Sequence, residues 1–207
     1  MKKIAIIGTG YVGLVSAVCL AETGKEVFCV DKNNKVIERI RNGISPIYEP
    51  GLEKLLLKNK DKIFPTTKIT EAILSSEIIF IAVGTPFDGK KIDLSQVKEV
   101  SSLIGKVLKK TNEYKVIVIK STVVPGTTLE FIKPLIEKES GKGDGEIGFC
   151  MNPEFLREGK AVEDFMNPDR IVLGVTDELV ERKVREVYSG FKDADFLITN
   201  PTTAEMI

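Results

Sequence analysis

The chain has 207 residues, with 30 lysines and arginines balanced by 30 aspartates and glutamates, no histidine, no tryptophan and 43% hydrophobic residues. This length and composition indicate one globular domain of ordinary size. The balanced charge includes no basic run of the kind that binds phosphate backbones, so we expect no nucleic-acid partner. The apolar runs are far shorter than the roughly 20 residues needed to cross a bilayer. We therefore expect no membrane span and a cytoplasmic location.

The absence of histidine limits the chemistry available to the chain. Hydrolase triads that use an imidazole base are excluded, so acid–base steps must rely on carboxylates, lysines or hydroxyl groups. Three cysteines, Cys19, Cys29 and Cys150, form no CxxC pair and indicate neither a disulfide framework nor a zinc site. We expect no bound metal.

Short β-branched runs alternate with longer amphipathic stretches along the chain. Runs of four to six residues without polar alternation are typical of strands buried on both faces of a parallel sheet, and they occur at 4–7, 27–30, 78–83, 116–119, 148–151 and 171–175. Apolar spacing and end signals predict helices at 14–22, 34–41, 52–58, 93–110, 127–139 and 178–188. The glycine-rich segment 140–145 is predicted to be a surface connection.

This alternation predicts an α/β fold with a doubly wound, mostly parallel sheet of the Rossmann type and helices on both faces. In such sheets, ligands bind at the carboxyl ends of the strands. The residues directly after each apolar run are therefore the candidate functional positions.

The first strand is followed by GTGYVG, a GxGxxG pattern at the start of a predicted helix. Gly8 would permit a tight turn, Gly10 would let the backbone approach a pyrophosphate, and Gly13 would let the helix lie close to the sheet. The second strand is followed by Asp31, where a carboxylate can accept hydrogen bonds from the hydroxyl groups of an adenosine ribose. The pattern in this context predicts a dinucleotide site.

Asp31 favours NAD over NADP, because a 2′-phosphate would meet its negative charge. Lys32 follows directly, and its positive charge leaves NADP open as an alternative. A purely structural interpretation also exists, in which the glycines only build a tight turn and Asp31 is a solvated residue at a strand end. We predict NAD as the cofactor.

Three further strand ends carry candidate polar residues. Two of them, VGTP at 83–86 and KSTVVPGTT at 120–128, would lie beside the nicotinamide half of a dinucleotide. Hydroxyl residues at strand ends more often cap helices, and we predict that role for Thr127. NPEFLREG follows at 152–159, and in it Glu154 and Glu158 lie on either side of Arg157. These carboxylates could serve an acid–base step in a chain without histidine, or could simply belong to a polar loop.

Six segments in order resemble the UDP-glucose/GDP-mannose dehydrogenase family, most closely its UDP-glucose 6-dehydrogenase members. They span nearly the whole chain, at 8–31, 46–56 (PIYEPGLEKLL), 83–86, 120–128, 152–159 and 168–174 (PDRIVLG). Enzymes of that family oxidise the C6 alcohol of a nucleotide sugar to a carboxylate in two NAD-dependent hydride transfers, through a thioester on a cysteine. The resemblance implies UDP-glucose as substrate, or a related nucleotide sugar such as GDP-mannose or a UDP-N-acetylhexosamine.

The dinucleotide pattern and the resemblance together give expected roles for individual residues. Contacts with NAD are expected from Gly8, Gly10, Tyr11, Val12, Gly13, Asp31, Lys32, Thr85, Thr122 and Glu158. The resemblance implies that Thr122 and Glu154 order and activate the hydrolytic water. It also implies contacts with the nucleotide sugar from Phe155, Leu156, Arg157 and Arg170.

The resemblance places the nucleophilic cysteine and a catalytic lysine and asparagine beyond residue 207. We therefore expect residues 1–200 to form the NAD-binding domain and residues 201–207 to begin a helix that links it to the rest of the enzyme. Cys19 and Cys29 lie in apolar segments and Cys150 lies in a strand, so none of them fits the nucleophile. We expect NAD binding without net turnover, and a homodimer for the complete enzyme. A stand-alone NAD-binding regulatory module is the alternative.

Overall fold

The computed structural model describes residues 3–191 and 194–207. The strands are β1 (Lys3–Ile7), β2 (Val27–Val30), β3 (Ile63–Thr66), β4 (Ser76–Ile81), β5 (Lys115–Ile119), β6 (Ile147–Met151), β7 (Arg170–Val175) and β8 (Asp195–Thr199). The α-helices are α1 (Tyr11–Glu22), α2 (Asn34–Arg41), α3 (Leu52–Lys58), α4 (Ile69–Ser75), α5 (Ser95–Leu108), α6 (Lys133–Ser140), α7 (Ala161–Met166), α8 (Glu178–Val187) and α9 (Pro201–Glu205). A 3-10 turn at Lys60–Lys62 precedes β3, and a π-helical turn at Thr127–Ile132 leads into α6.

The described strands form one sheet in the order β3-β2-β1-β4-β5-β6-β7-β8. Neighbouring strands are parallel except for β6 and β7, so β7 and β8 run together but opposite to the others. The strand order reverses at β1, which lies between β2 and β4, and ligands bind at such a reversal in doubly wound sheets. The predicted fold class is confirmed.

Alternate side chains of the strands enter two separate cores. In β1, Ile4 and Ile6 belong to the core that also holds residues of α1, α3, α7 and α8. Ala5 and Ile7 belong to the core on the other face, beneath α4, α5 and α6. Because both faces of β1 are covered by helices, residues 4–7 of this strand are all apolar, as buried parallel strands require. The helices thereby leave only the strand ends open to ligands.

The elements that the sequence did not predict are short or lie at the sheet edges. β3 and β8 are the two edge strands and are partly exposed, so neither shows the continuous apolar run that marks a buried strand. α4 and α7 have only seven and six residues, too few for a clear helical period. β4 ends at Ile81, two residues before the predicted end, so Ala82 and Val83 belong to the loop beyond the sheet.

The predicted capping role of Thr127 is wrong. Gly126, with φ 93°, occupies the position before the π-helical turn. The hydroxyl group of Thr127 instead donates to the carbonyl oxygen of Val124 at 2.6 Å. The first amides of the turn are capped from another element, because the Glu205 carboxylate accepts from the N–H groups of Gly126 and Thr128 at 2.6 and 2.7 Å.

Candidate functional site

The three glycines of the GxGxxG pattern lie between β1 and α1 and have different surroundings. Gly8 has φ 99°, and a Cβ there would approach the carbonyl oxygen of Ala82 to 2.6 Å. A Cβ on Gly13 would lie 1.9 Å from the carbonyl oxygen of Gly8. A Cβ on Gly10, by contrast, would have no described atom within 4 Å. Close packing therefore requires glycine at positions 8 and 13, whereas Gly10 borders open space.

The N-terminus of α1 fits an anionic ligand. Within the described residues, no side chain caps this end and the first turn holds no acidic residue. The first N–H groups of a helix have no partner inside the helix, and together with the helix dipole they attract negative charge. Tyr11 and Val12, the first residues of the helix, are partly exposed. The open space at Gly10 and these free amides suit the pyrophosphate of NAD.

Asp31 lies at the end of β2 and is held in place by its neighbours. Its Oδ2 atom accepts from the N–H and the hydroxyl group of Thr9 at 3.0 and 2.8 Å, and its Oδ1 atom accepts from the N–H of Asn33 at 2.9 Å. A carboxylate offers about four acceptor positions, so one on Oδ1 stays open. That position suits a ribose hydroxyl. Thr9 was not singled out from the sequence, since x positions of the pattern carry no residue preference.

A cavity of about 310 Å³ extends from the glycine loop to α5. Gly8, Gly10, Asp31 and Lys32 line one side of it, and side chains of α5 line the other. This volume falls in the range of small-molecule sites. Four of the predicted NAD contacts are thus brought together around one cavity.

The loops after β4 and β5 are joined by hydroxyl groups. The hydroxyl of Thr85 donates to the carbonyl oxygen of Thr122 at 2.7 Å, and the hydroxyl of Ser121 donates to the carbonyl oxygen of Val83 at 2.7 Å. The side chain of Thr122 is exposed. The structure therefore places two of the predicted site residues side by side at the carboxyl end of the sheet.

Lys120, the first residue of the candidate segment 120–128 but given no role of its own from the sequence, is a buried cation beneath the segment 152–159. Its side chain is 5% exposed, and Nζ donates to Oδ1 of Asn152 and to the carbonyl oxygen of Pro153, both at 3.1 Å. The Tyr188 hydroxyl donates to the same Asn152 oxygen at 2.5 Å. Burial lowers the pKa of the Lys120 amine to about 8, although the charges of Glu154 and Cys150 act in the opposite direction. Lys120 thus anchors the segment 152–159 to β5.

The predicted substrate residues line a second cavity, of about 540 Å³. They are Phe155, Leu156, Arg157 and Arg170. The Arg157 guanidinium forms an ion pair with Asp164 at 2.6 Å, and the hydrogen bonds from Arg157 lower the pKa of that carboxyl group to about 2. Arg170 is exposed at the start of β7.

Glu154 and Glu158 lie on the same segment but outside the residues that line the two cavities described above. The Glu154 Oε2 atom accepts from the N–H of Leu156 at 2.9 Å, and the side chain is partly buried. The charge of Glu158 contributes to a raised pKa at Tyr11, after burial and the hydrogen bond to Glu49. Glu158 therefore lies on the glycine-loop side of the segment, and the charge of Glu154 acts on Lys120.

Glu49 connects the glycine loop to the segment 152–159, and no sequence pattern gave it a role. This carboxylate is 5% exposed and accepts from the Tyr11 hydroxyl, from the N–H of Gly159 at 2.9 Å and from the N–H of Ala161 at 2.8 Å. Burial alone would raise the pKa of Glu49, but these hydrogen bonds outweigh it and hold the pKa below its usual range. Burial and the hydrogen bond from the Tyr11 hydroxyl to Glu49 raise the pKa of Tyr11 to about 12.

The three cysteines are buried and unpaired. Burial raises the pKa of both Cys19 and Cys29 to about 12, and burial also raises the pKa of the Cys150 thiol. A thiolate is the reactive form, so none of these side chains resembles a nucleophile.

Among residues 3–191 and 194–207, no group of three acidic, cysteine or histidine side chains is placed to hold a metal ion, and no helix is long and apolar enough to cross a membrane.

Comparison with known proteins decides the family. Residues 2–192 match the family model for the UDP-glucose/GDP-mannose dehydrogenase family, NAD binding domain. The chain belongs to this family. The matched part is the family's NAD-binding domain, so the cofactor is NAD, as the glycine loop and Asp31 predict.

Similar proteins include UDP-glucose 6-dehydrogenase TuaD from Bacillus subtilis, 46% identical across 100% of this chain and 44% of that protein. GDP-mannose 6-dehydrogenase from Azotobacter vinelandii is 38% identical across 99% of this chain and 48% of its own length. Among solved structures, a GDP-mannose dehydrogenase from Pseudomonas aeruginosa superposes with a TM-score of 0.95 at 39% identity, covering 99% of this chain and 48% of that one. A UDP-glucose dehydrogenase from Pyrobaculum islandicum gives 0.93 at 37% identity, covering 100% and 48%. The chain spans about half the length of the curated relatives it matches.

Proposed function

We propose that the chain supplies the NAD site and part of the catalytic centre of a nucleotide-sugar 6-dehydrogenase that oxidises UDP-glucose to UDP-glucuronate. The observation that carries the proposal is the double attachment of the segment 152–159. Lys120 ties its start to β5, and Glu49 ties its end to the first turn of α1. A carboxylate-bearing segment is thereby held in fixed relation to the dinucleotide loop, as a dehydrogenase needs and a simple NAD sensor does not.

In this proposal, residues 1–200 form the cofactor domain and residues 201–207 begin a linking helix. The structure supports the second part with α9, where the side chain of Asn200 accepts from the N–H of Thr203 at 2.9 Å and so caps a helix start. A cytoplasmic location and a homodimeric complete enzyme belong to the same proposal. Cell fractionation and analytical ultracentrifugation would test them.

NAD, when bound at this site, would supply the acceptor for the hydride that leaves the sugar C6 position. The chain's own residues then have distinct tasks. Gly10 and the amides of α1 bind the pyrophosphate, and Asp31 accepts a hydrogen bond from the ribose. Thr122 orders the hydrolytic water, and Glu154 takes its proton through Oε1, because Oε2 is engaged by the N–H of Leu156.

The nucleotide sugar would occupy the cavity of about 540 Å³ at Phe155, Leu156, Arg157 and Arg170. The sequence similarity to a UDP-glucose 6-dehydrogenase at 46% identity supports UDP-glucose. GDP-mannose is the second candidate, since the chain superposes on a GDP-mannose dehydrogenase with a TM-score of 0.95, against 0.93 for a UDP-glucose dehydrogenase. Both substrates require the same oxidation at C6, so the roles of Thr122 and Glu154 do not depend on this choice.

A chimera tests the proposal. Residues 1–207 would replace the matching part of Bacillus subtilis TuaD, and NADH formation would be followed with UDP-glucose and with GDP-mannose. We expect NADH from UDP-glucose, and a loss of turnover of about a hundredfold or more in Glu154→Gln, because a positioned acid–base group contributes at least that much. Thr122→Val removes the hydroxyl group that orders the water and should also lower turnover. NAD affinity should not change in Glu154→Gln.

Glu163→Gln provides the matched control, since Glu163 is exposed on α7. It should keep full turnover. A folded chimera whose turnover is unaffected by Glu154→Gln would contradict the catalytic role of that residue. The chain by itself should bind NAD without steady NADH production from UDP-glucose.

A further inference from the structure

We propose that Glu99 is a determinant of NAD over NADP, and that it acts by neutralising Lys32. The inference rests on the proposed placement of the adenosine ribose at Asp31 and extends it to the opposite wall of the same cavity. It assigns a task to a residue on α5, far from the dinucleotide loop in sequence.

One face of α5 lines the cavity of about 310 Å³. The lining residues are Gln96, Glu99, Val100 and Leu103, whose spacing of three and four positions places them on the same side of a helix. Val100 and Leu103 give this wall an apolar part that suits an adenine ring. Glu99 lies between them and Gln96, so its carboxylate is part of the wall that faces the ligand.

Lys32 and Glu99 meet across this cavity. The Lys32 Nζ atom lies 3.7 Å from Oε2 of Glu99. Of the described residues that line the cavity, Asp31, Lys32 and Glu99 are the charged ones. Two carboxylates and one ammonium group leave a net negative charge where a 2′-phosphate would have to lie, and the ammonium group already has a partner.

Asp31 cannot turn away from such a phosphate without losing its contacts. Its Oδ2 atom is held by both the N–H and the hydroxyl group of Thr9, at 3.0 and 2.8 Å. The open acceptor position on Oδ1 can receive a ribose hydroxyl but repels a phosphate oxygen, which has no proton to donate. Asp31 therefore stays in a position where it disfavours NADP. Lys32 is the group whose positive charge could offset this repulsion of the 2′-phosphate, if it were not paired with Glu99.

A double-mutant cycle tests this arrangement. Dissociation constants for NAD and NADP would be measured by calorimetry on this chain as wild type, Glu99→Gln, Lys32→Met and the double variant. Glu99→Gln should raise NADP affinity about two- to fivefold, the upper part of the range expected for one charge at an exposed site, and should change NAD affinity by less than about twofold. In Lys32→Met the NADP affinity should fall below wild type, because Glu99 then has no cationic partner and adds a second uncompensated carboxylate to Asp31.

The gain from Glu99→Gln should disappear when Lys32 is also replaced by Met. Both side chains are exposed, at 80% and 59%, so the fold should tolerate all three variants. Glu178→Gln is the control for a general change in net charge, since Glu178 is exposed on α8, a helix that packs on β5, β6 and β7 rather than beside this cavity. It should leave both affinities unchanged.

Two results would overturn the proposal. One is an unchanged ratio of NADP to NAD affinity in Glu99→Gln. The other is a gain that persists in the double variant, since Lys32 would then have no part in it. A wild-type chain that is folded but binds no NAD would instead contradict the placement of the cofactor itself, and the two failures are therefore distinguishable.

Discussion

The same substitution at two glycines of the loop after β1 should damage different properties. We expect Gly13→Ala to lower the free energy of unfolding and Gly10→Ala to lower NAD affinity. The reason is the surroundings of each Cβ position. At residue 13 the new atom would lie 1.9 Å from the Gly8 carbonyl oxygen and 3.2 Å from Cβ of Ala82, whereas at residue 10 no described atom lies within 4 Å.

The magnitudes follow from these distances. Overpacking a tight site costs about 1–3 kcal/mol, and the 1.9 Å approach at Gly13 involves backbone that must shift, so the upper part of that range applies. The higher helix propensity of alanine returns up to about 1 kcal/mol, which leaves a net loss of about 2 kcal/mol. For a chain of this length, such a loss lowers Tm by about 4–8 °C. Gly10 has φ −69°, which alanine adopts freely, so Gly10→Ala should cost less than about 1 kcal/mol.

Urea unfolding and NAD calorimetry on both variants separate the two effects. Gly10→Ala should retain the wild-type unfolding midpoint to within that small cost and should bind NAD at least about tenfold more weakly, because the methyl group would occupy the space left for the pyrophosphate. Equal NAD affinity in Gly10→Ala and wild type would refute the placement of the pyrophosphate. A Gly13→Ala variant as stable as wild type would refute the packing argument.

Two further variants test the groups that hold the segment 152–159. Glu49→Gln should lower the free energy of unfolding, measured in urea, by about 1–3 kcal/mol, because the amide nitrogen of glutamine cannot accept and one backbone N–H loses its acceptor. The control Glu53→Gln affects only the Ser45 N–H and should cost less than about 1 kcal/mol. Equal losses in the two variants would contradict the role of Glu49. The pKa of Lys120 is lowered to about 8 in the folded chain, so the unfolded chain binds more protons than the folded one between pH 8 and 10.5. The free energy of unfolding of the wild type should therefore rise over that window, relative to Lys120→Met, by on the order of 3 kcal/mol. A pH-independent difference between wild type and Lys120→Met would contradict the buried charge.

The sequence predicted what depends on short-range patterns. Strands buried on both faces carry continuous apolar runs, so β1, β2, β5 and β6 were located to within one residue, and the starts of β1 and β5 were missed by one because each begins with a lysine. The glycine loop and Asp31 were found because the spacing of a dinucleotide turn is set by local backbone geometry. The family resemblance supplied the rest of the candidate residues, including Thr122 and Glu154, whose roles stay predictions.

The groups that organise the site escaped prediction because their partners lie far away in sequence. Glu49 bonds to residues 11, 159 and 161, and Lys120 bonds to residues 152 and 153. A glutamate or lysine in isolation is normally a solvated surface residue, and nothing local indicates that it is buried and paired. Glu99 escaped for the same reason, since only the folded chain brings α5 to the cavity at the end of β2, where Glu99 meets Lys32.

A calorimetric titration of the chain with NAD tests the central claim most directly, with Asp31→Ala measured alongside wild type. We predict saturable binding of one NAD per chain, weakened in Asp31→Ala because the open acceptor position on Oδ1 is lost. Absence of NAD binding in a folded wild-type sample, or equal affinity in Asp31→Ala, would contradict the assignment of this cavity to the cofactor.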